Sequence, residues 1–119
     1  MKTRTWFGAA AILTTGLSAS TLLAHHGWSG YDSATVLTVD GAIEQIAYAN
    51  PHVEIALKAS DKTWTAVLAP PFRMESRGLP NGSLKVGDKV SLVGYPHKTN
   101  TTELRAERII VAGESVELR

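Results

Sequence analysis

The sequence predicts a small all-β domain with little α content, and three observations carry that expectation. Five segments alternate apolar and polar residues with the period of two that a half-buried strand requires. Turn-forming Gly, Pro, Asn, Asp and Ser residues separate most of them at short intervals. The one stretch suited to a helix is short and falls between the third and fourth segments.

Residues 25–33, His-His-Gly-Trp-Ser-Gly-Tyr-Asp-Ser, have no period and read as an irregular lead-in. From Thr35 the pattern becomes β. Leu37, Val39, Gly41 and Ile43 share one face, and Ile46 and Tyr48 then take the other parity. A phase slip inside a long strand marks a bulge or a sharp coil, and Gly41 lets the backbone bend. Ala49-Asn50-Pro51 is a tight turn. Val53, Ile55, Leu57 and Ala59 alternate against His52, Glu54 and Lys58, which gives a second strand with distinct inner and outer faces. Ser60-Asp61-Lys62 turns the chain into a third strand over residues 64–68, where Trp64 shares the core parity of Ala66 and Leu68.

Pro70-Pro71 ends that strand. Pro71 suits the first position of a helix and Gly78 the position just past its end, so residues 72–77 should form one or two helical turns with Met74 facing the core. Residues 79–87 read as a loop and residues 88–95 as a fourth strand, with Val90 and Leu92 on one face and Val93 and Tyr95 on the other. Residues 96–102 form a polar loop containing His97, and residues 104–111 the fifth strand. This is the element order of a five-stranded OB-like barrel with a short helix between strands three and four. The barrel domain is expected over residues 34–113, with a loose tail at 114–119. A different small barrel, or an open sandwich with the same strand count, remains the alternative.

Residues 1–24 read as a secretory signal peptide. Lys2 and Arg4 supply the positive start, residues 6–23 are apolar or small and uncharged, and Ala24 can occupy the −1 cleavage site. The run is broken by Gly8, Gly16 and several Ser and Thr residues, so cleavage is expected rather than a stable membrane anchor. Cutting after Ala24 makes His25 the first residue. The alternative cut after Ser20 leaves Thr21-Leu22-Leu23-Ala24 ahead of the histidines. A periplasmic or secreted location follows from either.

Removing 24 of 119 residues leaves 95, enough for one core but not two. Loss of Lys2 and Arg4 takes twelve basic residues to ten against eleven acidic, a net charge of −1 with His neutral. The charges are interspersed, which argues against nucleic acid as a partner. The chain has no cysteine, so its core must hold it without disulfides, and thiolate ligands and thiol chemistry are excluded.

Ala24-His25-His26, Tyr31-Asp32, Gly41-x-Ile43, Asn50-Pro51-His52, Arg77-Gly78 and Gly87-Asp88-x-Val90 together give the chain a recognisable outline. It resembles the small exported proteins of Gram-negative bacteria that form an uncharacterised family, a domain of unknown function with an Ala-His-His start. The resemblance covers essentially the whole mature chain. It implies export and a small β-barrel, and it implies no reaction.

Candidate chemistry rests on the four histidines. In an OB-like barrel the first strand lies antiparallel to the fourth, so the lead-in should approach the Pro96-His97 loop. The turn at Asn50-Pro51-His52 and the loop after strand four commonly flank this fold's binding face. His25, His26, His52 and His97 are therefore the expected metal ligands, with copper the leading ion and zinc the alternative. A free α-amine on His25 would chelate together with its own Nδ1. The competing reading leaves the first two histidines on a mobile terminus, His52 hydrogen-bonded near its turn and His97 solvated.

Trp28, Tyr31, Asn50 and Tyr95 form a second candidate set, for a small organic molecule or a protein partner, although Trp28 and Tyr31 could equally staple the lead-in to the barrel. No Gly-x-Ser-x-Gly, phosphate loop or His-Glu-x-x-His signature is present, so binding is favoured over catalysis.

Overall fold

The structure, a computed structural model, describes residue 3 and residues 27–119. Apart from residue 3, the expected signal peptide lies outside the described residues, and so do His25 and His26. The described chain runs through a 3₁₀ turn (Trp28–Gly30), β1 (Leu37–Ala47), β2 (Glu54–Lys58), β3 (Thr63–Val67), α1 (Pro71–Ser76), β4 (Lys89–Pro96), β5 (Glu103–Val111) and β6 (Glu114–Glu117). No helix among the described residues is long and apolar enough to cross a membrane.

The strands follow the order β3-β2-β1-β4-β5-β6, and a parallel pairing of β3 with β5 closes the first five into a barrel. β1 serves two neighbours. Its first half, Leu37 to Ala42, pairs with β4, and Ala42 to Ala47 pairs with β2. The phase slip read from the sequence is a bulge between Ile43 and Gln45, where the register with β2 shifts. Gly41 lies just before it, and a Cβ there would come within 2.5 Å of the Lys58 carbonyl oxygen. A second register shift falls between Val93 and Gly94 on β4, and at Gly94 a Cβ would overlap the Arg105 carbonyl oxygen.

The inner faces fill the barrel as alternation predicts. Val53, Ile55, Leu57, Val90 and Leu92 are all buried, and so are Trp64 and Met74. α1 begins at Pro71, one residue earlier than expected, and plugs one end of the barrel with Met74. Its end is a Schellman motif. Gly78 has φ +90°, its N–H donates to the Glu75 carbonyl, and the Leu79 N–H donates to the Met74 carbonyl at 2.8 Å. Leu79 and Met74 are both buried, supplying the motif's apolar contact.

The expected loose tail at 114–119 is corrected by β6, which pairs antiparallel with β5 from Arg108 to Val111. Ala112 and Gly113 make the two-residue turn, with φ of +50° and +80°. Two positive φ values are what a type I′ hairpin needs, but alanine there gives no sequence signal of the kind Asn-Gly would give. Leu118 then inserts into the core at 1% exposure, and its N–H donates to the Glu107 carbonyl.

Two outcomes follow for urea denaturation. Ala112→Asn should stabilise the protein by about 0.5–1 kcal/mol, because asparagine tolerates the left-handed conformation that strains alanine. Leu118→Ala should cost about 2–4 kcal/mol, as a buried leucine does. An unchanged midpoint for the second variant would return residues 114–119 to a loose tail.

Candidate functional site

Three chain segments meet at one end of the barrel. The lead-in pairs with the end of β4: Tyr31 forms an antiparallel bridge with His97, the Asp32 N–H donates to the Pro96 carbonyl, and the Lys98 N–H donates to the Gly30 carbonyl. The β1–β2 turn, with a cis Asn50–Pro51 peptide, carries His52 to the same place. The parallel register of β3 against β5 sets Glu103 beside Thr65 and Arg105 beside Val67. Gly30, Tyr31, Pro51, His52, Glu54, Val67, His97 and Glu103 enclose a cavity of about 330 Å3.

The two histidines, far apart in sequence, therefore line one cavity, as the topology argument anticipated. Each ring already has one nitrogen engaged. His97 Nδ1 accepts the backbone N–H of Asn100 at 2.9 Å and of Thr99 at 3.2 Å. A neutral ring accepting at Nδ1 carries its proton on Nε2, and that edge faces Glu103 Oε2 at 3.9 Å. His52 Nε2 lies 3.3 Å from an Arg105 guanidinium nitrogen. Guanidinium can only donate, so His52 accepts there.

Glu103 is held by Tyr31, whose hydroxyl donates to Oε2 at 2.6 Å. Burial pushes the Tyr31 hydroxyl well above the ordinary tyrosine pKa, and the hydrogen bond and charge of Glu103 push it further. The Tyr31 ring also meets the His97 ring edge to face, with centroids 5.2 Å apart. The result is a Tyr31–Glu103–His97 network centred on the Glu103 carboxyl group, and Glu54 lines the same cavity.

Arg105, two residues along the same face of β5, is 4% exposed, and burial lowers its pKa from the usual arginine value. Its guanidinium carbon sits 4.5 Å from the centroid of the Trp28 ring, and that of Arg119 sits at the same distance. Tyr95 meets Trp28 edge to face at 5.9 Å, and its hydroxyl donates to Glu107.

The candidate residues thus separate. Tyr31, His52 and His97 line the cavity. Trp28 and Tyr95 pack on each other beside it, and Asn50 is exposed at the turn, so none of these three is among the lining residues. Sequence reasoning missed Glu54, Glu103 and Arg105. Glu54 shares the outer parity of His52, which was a usable signal. Arg105 also has outer parity on β5, yet it is buried, with Trp28 of the lead-in over its guanidinium and His52 beside it.

A family model described as a family of unknown function (DUF6152) matches residues 12–105. The chain belongs to this family. The match to DUF6152 spans every cavity residue and Arg105, and ends before β6. No curated protein matches the chain. In this DUF6152 member no three His, Asp or Glu side chains among the described residues come close enough to hold a metal ion together. A metal here would need donors from outside that set.

The tyrosine network sets a pH dependence. Tyr31 has its pKa raised by folding, so its contribution to stability is full below the ordinary tyrosine value of 10.0 and is lost as pH rises above it, where the unfolded chain ionises first. Tyr31→Phe should flatten the alkaline loss of stability measured by urea denaturation across this range. In an ultraviolet titration, Glu103→Gln should let Tyr31 ionise at lower pH than in wild type. Identical titration curves would mean that Glu103 does not hold the hydroxyl.

Proposed function

We propose that the chain is an exported, non-catalytic β-barrel that binds a copper-type transition metal at this cavity. The ligands are the α-amine and imidazole of a mature His25 terminus, with His26 and His52. The observation that carries the reading is the convergence of His52 with the lead-in at one cavity that also contains two carboxylates, Glu54 and Glu103. Imidazole and amine nitrogen suit copper, and nearby carboxylates favour a cation over an anion.

The ring geometry distributes the roles. His97 offers an N–H rather than a lone pair toward Glu103, so it supports the carboxylate instead of ligating. His52 can release its long contact to Arg105 and present Nε2 to the ion. Periplasmic or secreted location belongs to the same proposal, since the terminal amine exists at His25 only after cleavage behind Ala24.

The alternative, a groove that stacks an organic molecule or a partner's side chain, is weakened by where its aromatic residues lie. Trp28 is flanked by Arg105, Arg119 and Tyr95, Tyr31 is buried, and Trp64 is in the core.

Mature protein beginning at His25 should bind about one tight equivalent of Cu(II) in calorimetric titration. Affinity should fall as pH drops through the histidine range near ~6.5, because protons compete for the ligand nitrogens. One added residue ahead of His25, or His52→Ala, should weaken binding by about tenfold or more. His97→Ala should weaken it less. Absence of any tight equivalent would put the metal-free interaction module first.

A further inference from the structure

β2, β4 and β5 each have one end at the histidine cavity and the other at a second opening. β2 runs from Glu54 to Lys58, β4 from Lys89 to Pro96 and β5 from Glu103 to Val111. Glu54, Glu103 and His97, which follows β4, line the histidine cavity. Lys58, Lys89 and Ile110, at or near the opposite ends of the same strands, line an open groove of about 630 Å3. The two share no lining residue. Measured along β4 they stand roughly 20 Å apart, since a strand rises about 3.3 Å per residue.

Strand register explains what the groove presents. Ala42 on β1 pairs with Lys58 of β2 on one side and with Lys89 of β4 on the other. Paired residues share a face of the sheet, so two long cationic side chains flank a single methyl group on the outer surface. Antiparallel partners have Cα atoms about 4.5–5.5 Å apart, which sets the two lysine Cα atoms about 10 Å from each other, within reach of two lysine side chains closing on one group. Neither lysine forms an ion pair or a side-chain hydrogen bond among the described residues. The next row across the sheet is Asp40, Ser91 and Ile110. Asp40 is the one acid in the lining, and its carboxylate accepts from the Ser91 hydroxyl. Ile110 and the Ala112–Gly113 turn add apolar surface beside the lysines.

We propose that this groove binds a small organic anion, its charged head held between Lys58 and Lys89 over Ala42 and its apolar body laid against Ile110 and the Ala112–Gly113 turn. Charge complementarity carries the proposal. Two cations with no counter-ion face one another across the smallest methyl-bearing side chain, and an anionic head placed between them relieves their mutual repulsion. A volume of about 630 Å3 suits a small molecule, and a mainly apolar lining with a few placed charges is what such sites have. The lysine ammonium is a point charge, so it accepts a carboxylate without the planar match that arginine imposes. The groove uses neither the histidines nor the amino terminus, and it stands whether or not the histidine cavity takes a metal.

The test titrates the purified protein with decanoate and follows backbone amides by nuclear magnetic resonance. Decanoate should shift Ala42, Ser91, Ile110 and Gly113 saturably and leave Tyr31 and His97 in place. Lys58→Gln and Lys89→Gln should each weaken binding about three- to tenfold, the worth of one charge at close range in water. Both side chains are exposed, so the urea midpoint should not move. Asp40→Asn keeps an oxygen acceptor for Ser91 and removes the opposing charge, so it should strengthen binding about two- to fivefold. Decyltrimethylammonium, with the same apolar body and the opposite charge, should leave these amides unmoved. Inorganic phosphate should move them only at much higher concentration. Unmoved groove amides in decanoate, undiminished affinity in both lysine variants, or equal binding of decyltrimethylammonium overturns the site. Phosphate binding as tightly as decanoate overturns the part given to the apolar body.

Discussion

β1 hydrogen-bonds to β4 along its first half and to β2 along its second, and the remaining architecture depends on that division. A single strand can serve two neighbours in succession only if it coils strongly. The close approach allowed by Gly41 and the bulge between Ile43 and Gln45 supply the coil. Once β1 is coiled, β3 and β5 are brought edge to edge and pair in parallel, closing the barrel. Closure removes most of the exposed hydrogen-bonding edges that an open five-stranded sheet would present.

The site is a consequence of this closure. The antiparallel β1–β4 pairing places the chain entering β1 beside the chain leaving β4, so Tyr31 meets His97. The β3–β5 register puts Glu103 and Arg105 at the same end, on the same outer face of β5. Glu103 lines the cavity and takes the Tyr31 hydroxyl, while Arg105 is buried against Trp28 and His52. Burying a guanidinium is unfavourable without partners, and the imidazole acceptor and indole face provide two. The charge pattern and the aromatic packing thus stabilise one another.

Much of the barrel was legible in the sequence. Alternation assigned Val53, Ile55, Leu57, Val90 and Leu92 to the core because a strand's side chains must alternate across its two faces. The phase slip between Ile43 and Ile46 located the bulge for the same reason. Pro71 and Gly78 bracketed the helix through their fixed and permissive backbone angles. β6 was not legible, because its turn is Ala112-Gly113 and alanine does not announce a positive φ. Its anchor, Leu118, is a single apolar residue with no period around it.

For the candidate site, residue type pointed to the histidines, and topology brought His52, His97 and the lead-in together. Local sequence determined which segments are strands, where the long strand bends and which faces are apolar, since these depend on neighbours in the chain. The tertiary structure alone decided that Glu103 accepts from Tyr31, that Arg105 is buried despite its outward parity, and that Arg119 reaches Trp28. Those contacts join residues from opposite ends of the chain. They depend on barrel closure and on the lead-in lying over β5, and no pattern within either segment encodes the other's position.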